Sequence, residues 1–299
     1  MKKLISCSLS NDNTVDREYE TDFILKIIQE KKTDLLILYA QSGVGKSTLC
    51  NRILKSIPDY IPICVRTNPE NEDTLQPEGT YLERIFNCFV NYFYKNKKDF
   101  RRYSFDYYIA HNKNATIKRE ALESMFSSVS EKNPLLTFGI SIGKYISSRL
   151  CKLYEYNTAN KLHLSTKESM LIAHEYIKYI LKNVGICLDI DNLQNIDKYS
   201  LQLLTEWISV SDRKSFFIFE YTIPEINNKS SIISFATYFQ NINLNVELLQ
   251  LNSLDVDDAI LAIKKANIHN EDNIFFEKIK AFYIYHKDGN MQKLLDFSL

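Results

Sequence analysis

At 299 residues the chain is long enough for one large or two modest domains with a substantial core. Hydrophobic residues make up 45% and charged residues 25%, ordinary values for a soluble globular protein. The 37 basic and 37 acidic residues cancel to a formal net charge of zero, which excludes a global field for nucleic acid or anionic membrane but not a local patch.

No apolar run approaches the roughly 18 residues that a bilayer span needs. The opening "MKKLISCSLSNDN" carries two lysines and a lipobox-like "LISC", but its apolar stretch is too short for a signal peptide. The six cysteines (Cys7, Cys50, Cys64, Cys88, Cys151 and Cys187) are scattered without a CxxC pair. That pattern fits reduced thiols in a cytoplasmic protein and argues against a zinc site.

In chain order, "TVDREYETDFILKIIQE" opens the periodic signal. Thr14 or Asp16 is expected to cap a helix with Phe23, Ile24, Ile27 and Ile28 on one face. A strand is expected over 35–39, then a small-residue loop, then a helix to about Lys55 and a strand near 60–67. The long segment 68–182 reads as a mostly helical insertion. Within it, Thr80 to Glu83 and Ser165 to Glu168 both have capping-box spacing. The first opens a helix with Leu82, Ile85, Phe86, Phe89, Val90 and Phe93 on a core-facing stripe; the second opens a helix to about Lys182. Alternation of Leu136, Phe138, Ile140 and Ile142 predicts a strand between them. Apolar strands follow at 185–191, 215–222 and near "LNVELLQLN", with a helix "KYSLQLLTEWIS" between the first two. A capped helix from "SLDVDDAILAIKKA" and a helical tail around Asp288-Gly289 would close the chain. Strands alternating with helices predict an α/β fold, three layers with a parallel sheet, right-handed crossovers and a small helical lid. The core is expected over 1–250, with the insertion at about 68–182, and the lid over 251–299.

The chemistry is concentrated in "YAQSGVGKST", residues 39–48. Between a strand and a helix, this loop can turn successive backbone N–H groups inward as an anion nest. Gly43 and Gly45 permit the tight turn and the close approach to phosphate, with Ser42 and Val44 between and beside them. Lys46 would reach the β- and γ-phosphates, the Ser47 hydroxyl would ligate Mg²⁺, and Thr48 would contact the α-phosphate. Ala40 stands where the usual pattern has its first glycine and is tolerable if its φ is negative. An acidic partner for the metal is expected at the tip of a buried strand, and "ICLDIDNLQNID" offers Asp191 or Asp189. Asp191, at the polar end, is the first choice; Asp189 is the alternative or a supporting carboxylate.

With the loop fixed, the remaining motifs follow the order of the AAA+/STAND group of P-loop ATPases, which the chain resembles over most of 14–66 and 184–297. "VDREYE" (15–20) is similar to the group's "GREXE" element, which implies that Arg17 contributes to an adenine pocket. "DNLQNIDKYSLQLL" (191–204) resembles its Walker B stretch, "FIFEYTIPE" (217–225) its sensor-1 strand and "DGNMQKLL" (288–295) its lid segment. Only the two Walker motifs are specific; the others persuade through order and spacing.

The chain also departs from the group. Asn192 stands where the catalytic acid follows the Walker B aspartate, and an amide cannot accept a proton at neutral pH. Turnover should therefore be slow unless Asp189, Glu220 or a partner supplies a base. Glu220 and Thr222 occupy the sensor-1 stretch, with Ile223 where relatives often carry arginine; Met291, Gln292 and Lys293 replace the usual lid residues. The resemblance implies an ATP- and Mg²⁺-dependent switch module of bacterial signalling or anti-phage defence, acting with further copies of itself or with a separate effector or sensor protein. Either the chain is a piece of a longer protein or it relies on such partners. Two alternatives stand beside it. One is a DNA-associated AAA+ ATPase of the initiator or transposition-helper type, in which "YKNKKDFRRY" (94–103) would touch phosphates although net charge does not support it. The other is a scaffold that holds nucleotide without hydrolysing it.

Overall fold

The computed structural model describes residues 17–66, 77–111, 119–126, 162–223 and 229–253, with positions 144, 146, 147 and 149–151. Its first elements are α1 (Glu18–Glu30), β1 (Leu35–Ala40), α2 (Lys46–Ser56) and β2 (Ile61–Val65). Then come α3 (Thr80–Lys95), α4 (Lys97–Phe100), a 3₁₀ turn at Arg101–Tyr103, α5 (Phe105–His111) and α6 (Arg119–Met125). The chain continues through α7 (Lys167–Asn183), β3 (Ile186–Ile190), α8 (Lys198–Val210), β4 (Phe216–Thr222), α9 (Lys229–Gln240) and β5 (Val246–Gln250). The expected strand at 136–142 and the lid beyond 253 lie outside the described residues.

The fold is α/β, with five strands in the order β2-β3-β4-β1-β5. β4 pairs in parallel with β3 and β1, and β1 pairs in parallel with β5. Central position explains composition. β1 (LLILYA) and β3 (ICLDI) are buried along nearly their whole length, as strands covered on both faces must be. At one border of the sheet, β2 alternates buried and exposed residues and carries Pro62, which cannot donate to a ladder and is tolerated at an edge. At the other border, β5 exposes most of its side chains.

Two compact units divide the described residues. The first takes those of 1–62, 187–194 and 216–299. There α2 packs on β1 and β4 through Leu49, Cys50 and Ile53, and α1 covers α2 with Ile24, Ile27 and Ile28. The second takes those of 63–186 and 195–215. Its core is helical and aromatic: Phe86 of α3, Phe105 of α5 and Tyr176 of α7 meet edge to face with centroids 5.1–5.9 Å apart. The expected stripe on α3 is buried in full, from Leu82 to Phe93.

The helix starts differ from expectation. Arg17, and neither Thr14 nor Asp16, is the N-cap residue of α1, and its side chain caps nothing there. Thr80 is the first residue of α3 and not its cap. Gly79 holds that place at φ 82°, a left-handed conformation that glycine adopts without Cβ strain. The first amides of α3, which have no intrahelical acceptor, are capped by the start of another helix: Asp197 accepts from Gly79 N (3.0 Å) and Tyr81 N (3.2 Å), and Ser200 Oγ accepts from Leu82 N (2.9 Å). Asp197 also accepts from Ser200 N at 2.8 Å as the N-cap of its own helix, α8. Glu83 accepts instead from Leu164 N. At α7 the box is shifted by one residue: Thr166 and Ser169 exchange the two reciprocal bonds, not Ser165 and Glu168.

Candidate functional site

The loop from Gln41 to Gly45 leaves the carboxyl end of the interior strand β1, between β4 and β5, and enters the N-terminus of α2, the position at which α/β sheets bind ligands. Gly43 has φ 78° and Gly45, the N-cap of α2, has φ 98°. A Cβ at Gly45 would meet no atom within 4 Å, so backbone conformation rather than crowding requires glycine there. Ala40 ends β1 opposite Thr222 and is not among the positive-φ residues, so its methyl group costs the turn nothing. Ser42 is exposed, Val44 is buried beneath the loop, and Thr48 is half-buried in the first turn of α2. Lys46 is buried, with its ammonium held over the loop by hydrogen bonds to Ala40 O (3.2 Å) and Gln41 O (3.1 Å).

Ser47 Oγ donates to Glu220 Oε2 at 2.6 Å. Parallel register brings these groups together. Asp189 pairs with Ile218, so Glu220, two residues further along β4, leaves the same sheet face as Asp189, and α2 packs against β4. Ligand atoms of Cys50, Asp189 and Glu220 lie within 4.8 Å of one another, and all three residues are buried. Asp191 falls one residue past the end of β3 and is half-buried. Beyond it Asn192 adopts φ 48°, which Asn tolerates better than most residues. Its Oδ1 accepts from Gln194 Nε2 (3.2 Å) and Thr222 Oγ1 (3.1 Å), and Gln194 Oε1 accepts from Thr222 N (3.0 Å). These bonds tie the tip of β3 to the tip of β4.

Arg17 comes to the same region. Its buried guanidinium donates to Glu20 Oε1 (2.7 Å), Val44 O (3.4 Å) and Asn252 O (2.6 Å). It thus joins the start of α1, the loop and the segment after β5. Two participants were not named from the sequence. Cys50 sits one helical turn beyond Ser47 and faces the two carboxylates, a placement that only the packing of α2 reveals. Gln194 was passed over as one polar residue among several.

Oxygen donors suit a hard divalent cation, and Ser47 Oγ with the carboxylates of Glu220 and Asp189 forms such a set beside the loop. The arrangement can therefore present a cation to an anion bound at the α2 N-terminus.

No known family model matches the chain, and no curated protein matches it. Among solved structures it is similar to the ORC1 protein of Aeropyrum pernix in complex with DNA, with 10% identity and a TM-score of 0.47, over 98% of this chain and 60% of that one. It is also similar to a Walker-type ATPase of Pyrococcus abyssi, with 14% identity, TM-score 0.40, and 97% and 74% of the two chains covered. A third is a STAND protein with a tetratricopeptide repeat sensor from Pyrococcus horikoshii, with 12% identity, TM-score 0.36, and 93% and 28% covered. The chain thus spans under two thirds of the first and third of these proteins.

Proposed function

We propose that the chain is an ATP-binding, slowly hydrolysing switch module of the AAA+/STAND kind. The observation that carries this reading is the loop itself: two left-handed glycines and a buried lysine at the N-terminus of a helix that follows a buried interior strand. In the reading, backbone amides of Gly43 to Thr48 cradle the phosphates and the dipole of α2 favours their charge. Lys46 exchanges its two loop carbonyls for the β- and γ-phosphates. Ser47, Glu220 and either Asp189 or Asp191 hold Mg²⁺, which when bound neutralises charge on the transferring phosphate. Arg17 steadies the loop through Val44 O and, as the resemblance implies, contributes to the adenine pocket.

Slow turnover follows from the tip of β3. Asn192 offers no proton acceptor, so in this reading the remaining rate rests on Glu220, whose carboxylate is shared with Ser47. The role in signalling or defence, the closing of a C-terminal lid and the self-association are carried by the likeness of 15–20, 191–204 and 288–295 to that group.

Asn192→Asp tests the account of the slow rate. Aspartate tolerates φ 48° and can accept the bonds from Gln194 and Thr222 while adding a carboxylate. Phosphate release should rise by about tenfold, the low end of what a positioned base contributes. An unchanged rate would place the limit elsewhere, and no release in either protein over hours would leave the non-hydrolysing scaffold.

A further inference from the structure

One surface of the second unit is independent of the phosphate loop. A cleft of about 320 Å³ opens between α5 and α7. Tyr107 and His111 line it from α5, stacked on each other with centroids 3.9 Å apart and planes 15° apart. His111 Nδ1–H donates to Tyr107 O at 2.9 Å, which fixes the pair. From α7, Glu175, Lys178, Tyr179 and Lys182, neighbours at spacings of three and four residues, form the opposite wall.

Glu175 is a carboxylate of the cleft wall, paired with Lys178 at 3.7 Å, and the rim around it is cationic. Tyr179 Oη donates to Arg102 O at 3.3 Å, so the Arg101–Tyr103 turn hangs beside the cleft. Arg101, Arg102 and Lys182 are exposed, and none of them forms an ion pair among the described residues. Exposed Lys95 and Lys98 continue the charge along the preceding turns, against the single exposed carboxylate of Asp99 in that stretch. By contrast, Lys97 and Lys178 are engaged internally, with Asp106 and with Glu206. The net charge of zero for the whole chain therefore conceals a local excess of cations.

We infer that this cleft binds single-stranded nucleic acid. The stacked pair, Tyr107 half-buried and His111 exposed, offers a base an outer ring face of the kind that non-specific single-strand binders use. Three exposed cations at the cleft, Arg101, Arg102 and Lys182, suit a short run of phosphates, and Lys95 and Lys98 extend the charge along the preceding helices. A base held in a duplex cannot enter a recess between two helices, which favours the single strand.

Binding of a labelled oligothymidylate, read by anisotropy between about 50 and 200 mM salt, tests the inference. Wild type should bind and weaken as salt rises. Arg101→Glu with Arg102→Glu should weaken binding by tenfold or more and flatten the log–log salt slope by about 1.4, two contacts at 0.7 each. Tyr107→Ala should weaken it by about tenfold with the slope retained, since stacking and not charge is lost. Lys182→Glu, on the exposed side of α7, gives a second charge reversal should the double one fail to fold. Lys46→Ala should bind the oligonucleotide as wild type does, so failure here leaves the ATP reading untouched. No binding at low salt, equal binding of a blunt duplex, or full affinity in the charge-reversed proteins would overturn the inference. So would full affinity in Tyr107→Ala together with displacement by polyglutamate at equal charge, which would assign the surface to an acidic protein.

Discussion

Ser47 Oγ donates a 2.6 Å hydrogen bond to Glu220 Oε2, joining the first turn of α2 to the carboxyl end of β4. In the proposed reading, that carboxylate stands beside Mg²⁺ and is a proton acceptor within reach of the loop helix through Ser47. Glutamine at 220 keeps the shape and can still accept from Ser47, but it cannot take a proton. Glu220→Gln should therefore lower phosphate release by about 10²-fold or more and reduce the gain in ATP affinity that Mg²⁺ confers, with ATP affinity in the absence of the cation little changed. Release at the wild-type rate would remove Glu220 from the chemistry.

The two candidate aspartates separate by their dependence on metal. Asp189 is buried with Glu220 and Cys50, whereas Asp191 lies past the strand end. Asp189→Asn should lose more of the gain in ATP affinity that Mg²⁺ confers than Asp191→Asn does, measured by titration with and without the cation. The reverse order would put the metal at Asp191, the first choice from the sequence.

Asp197 holds two helices of the second unit together. It is buried and accepts three backbone N–H bonds, two from the start of α3 and one from α8. Asp197→Ala leaves those donors unsatisfied and should cost about 3 kcal/mol in chemical unfolding. Asp197→Asn keeps one acceptor oxygen and should cost less than half as much. Equal costs for the two variants would mean that the caps contribute little.

His174 carries a pH dependence. Trp207 Nε1–H donates to its Nδ1 at 3.0 Å, so the ring proton sits on Nε2, which faces Glu206 (3.3 Å) and Glu175 (3.6 Å). Burial lowers its pKa below the usual imidazole value; Lys178 acts in the same direction, and Glu206 and Glu175 oppose it. A second proton on Nδ1 would also break the bond to Trp207. The unfolded chain takes up a proton near pH 6.5 and the folded chain only at lower pH, so this contribution is full above about 6.5 and lost as pH falls. The stability advantage of wild type over His174→Gln should shrink between about pH 7.5 and 5.5. An advantage that stays constant, or grows as the solution is acidified, would contradict the assignment.

What the sequence made legible is local. The apolar runs of β1, β3 and β4 are continuous because the strands are buried, and the glycines and lysine of the loop stand at fixed distances from one another. Contacts set by register were not legible. Asp189 meets Glu220 only because β3 and β4 pair Asp189 with Ile218, an offset that neither strand reveals alone. The cap of α3 comes from Asp197, 118 residues away, so the nearer Thr80-to-Glu83 spacing was a false signal. The sequence marks Asn192 as an amide in the place of an acid, whereas its positive φ and its bonds to Gln194 and Thr222, which only the fold reveals, give it a structural role.

The central claim is that the loop at 40–48 binds ATP through Lys46. Thermal unfolding with and without Mg²⁺ and ATP, in wild type and Lys46→Ala, tests it most directly. At a nucleotide concentration near 100 times Kd, the linkage is worth about 2.7 kcal/mol, which should raise the wild-type Tm by about 5 °C. Lys46→Ala should unfold at the same temperature with and without nucleotide. Equal stabilisation of both proteins, or none in wild type, would contradict the account.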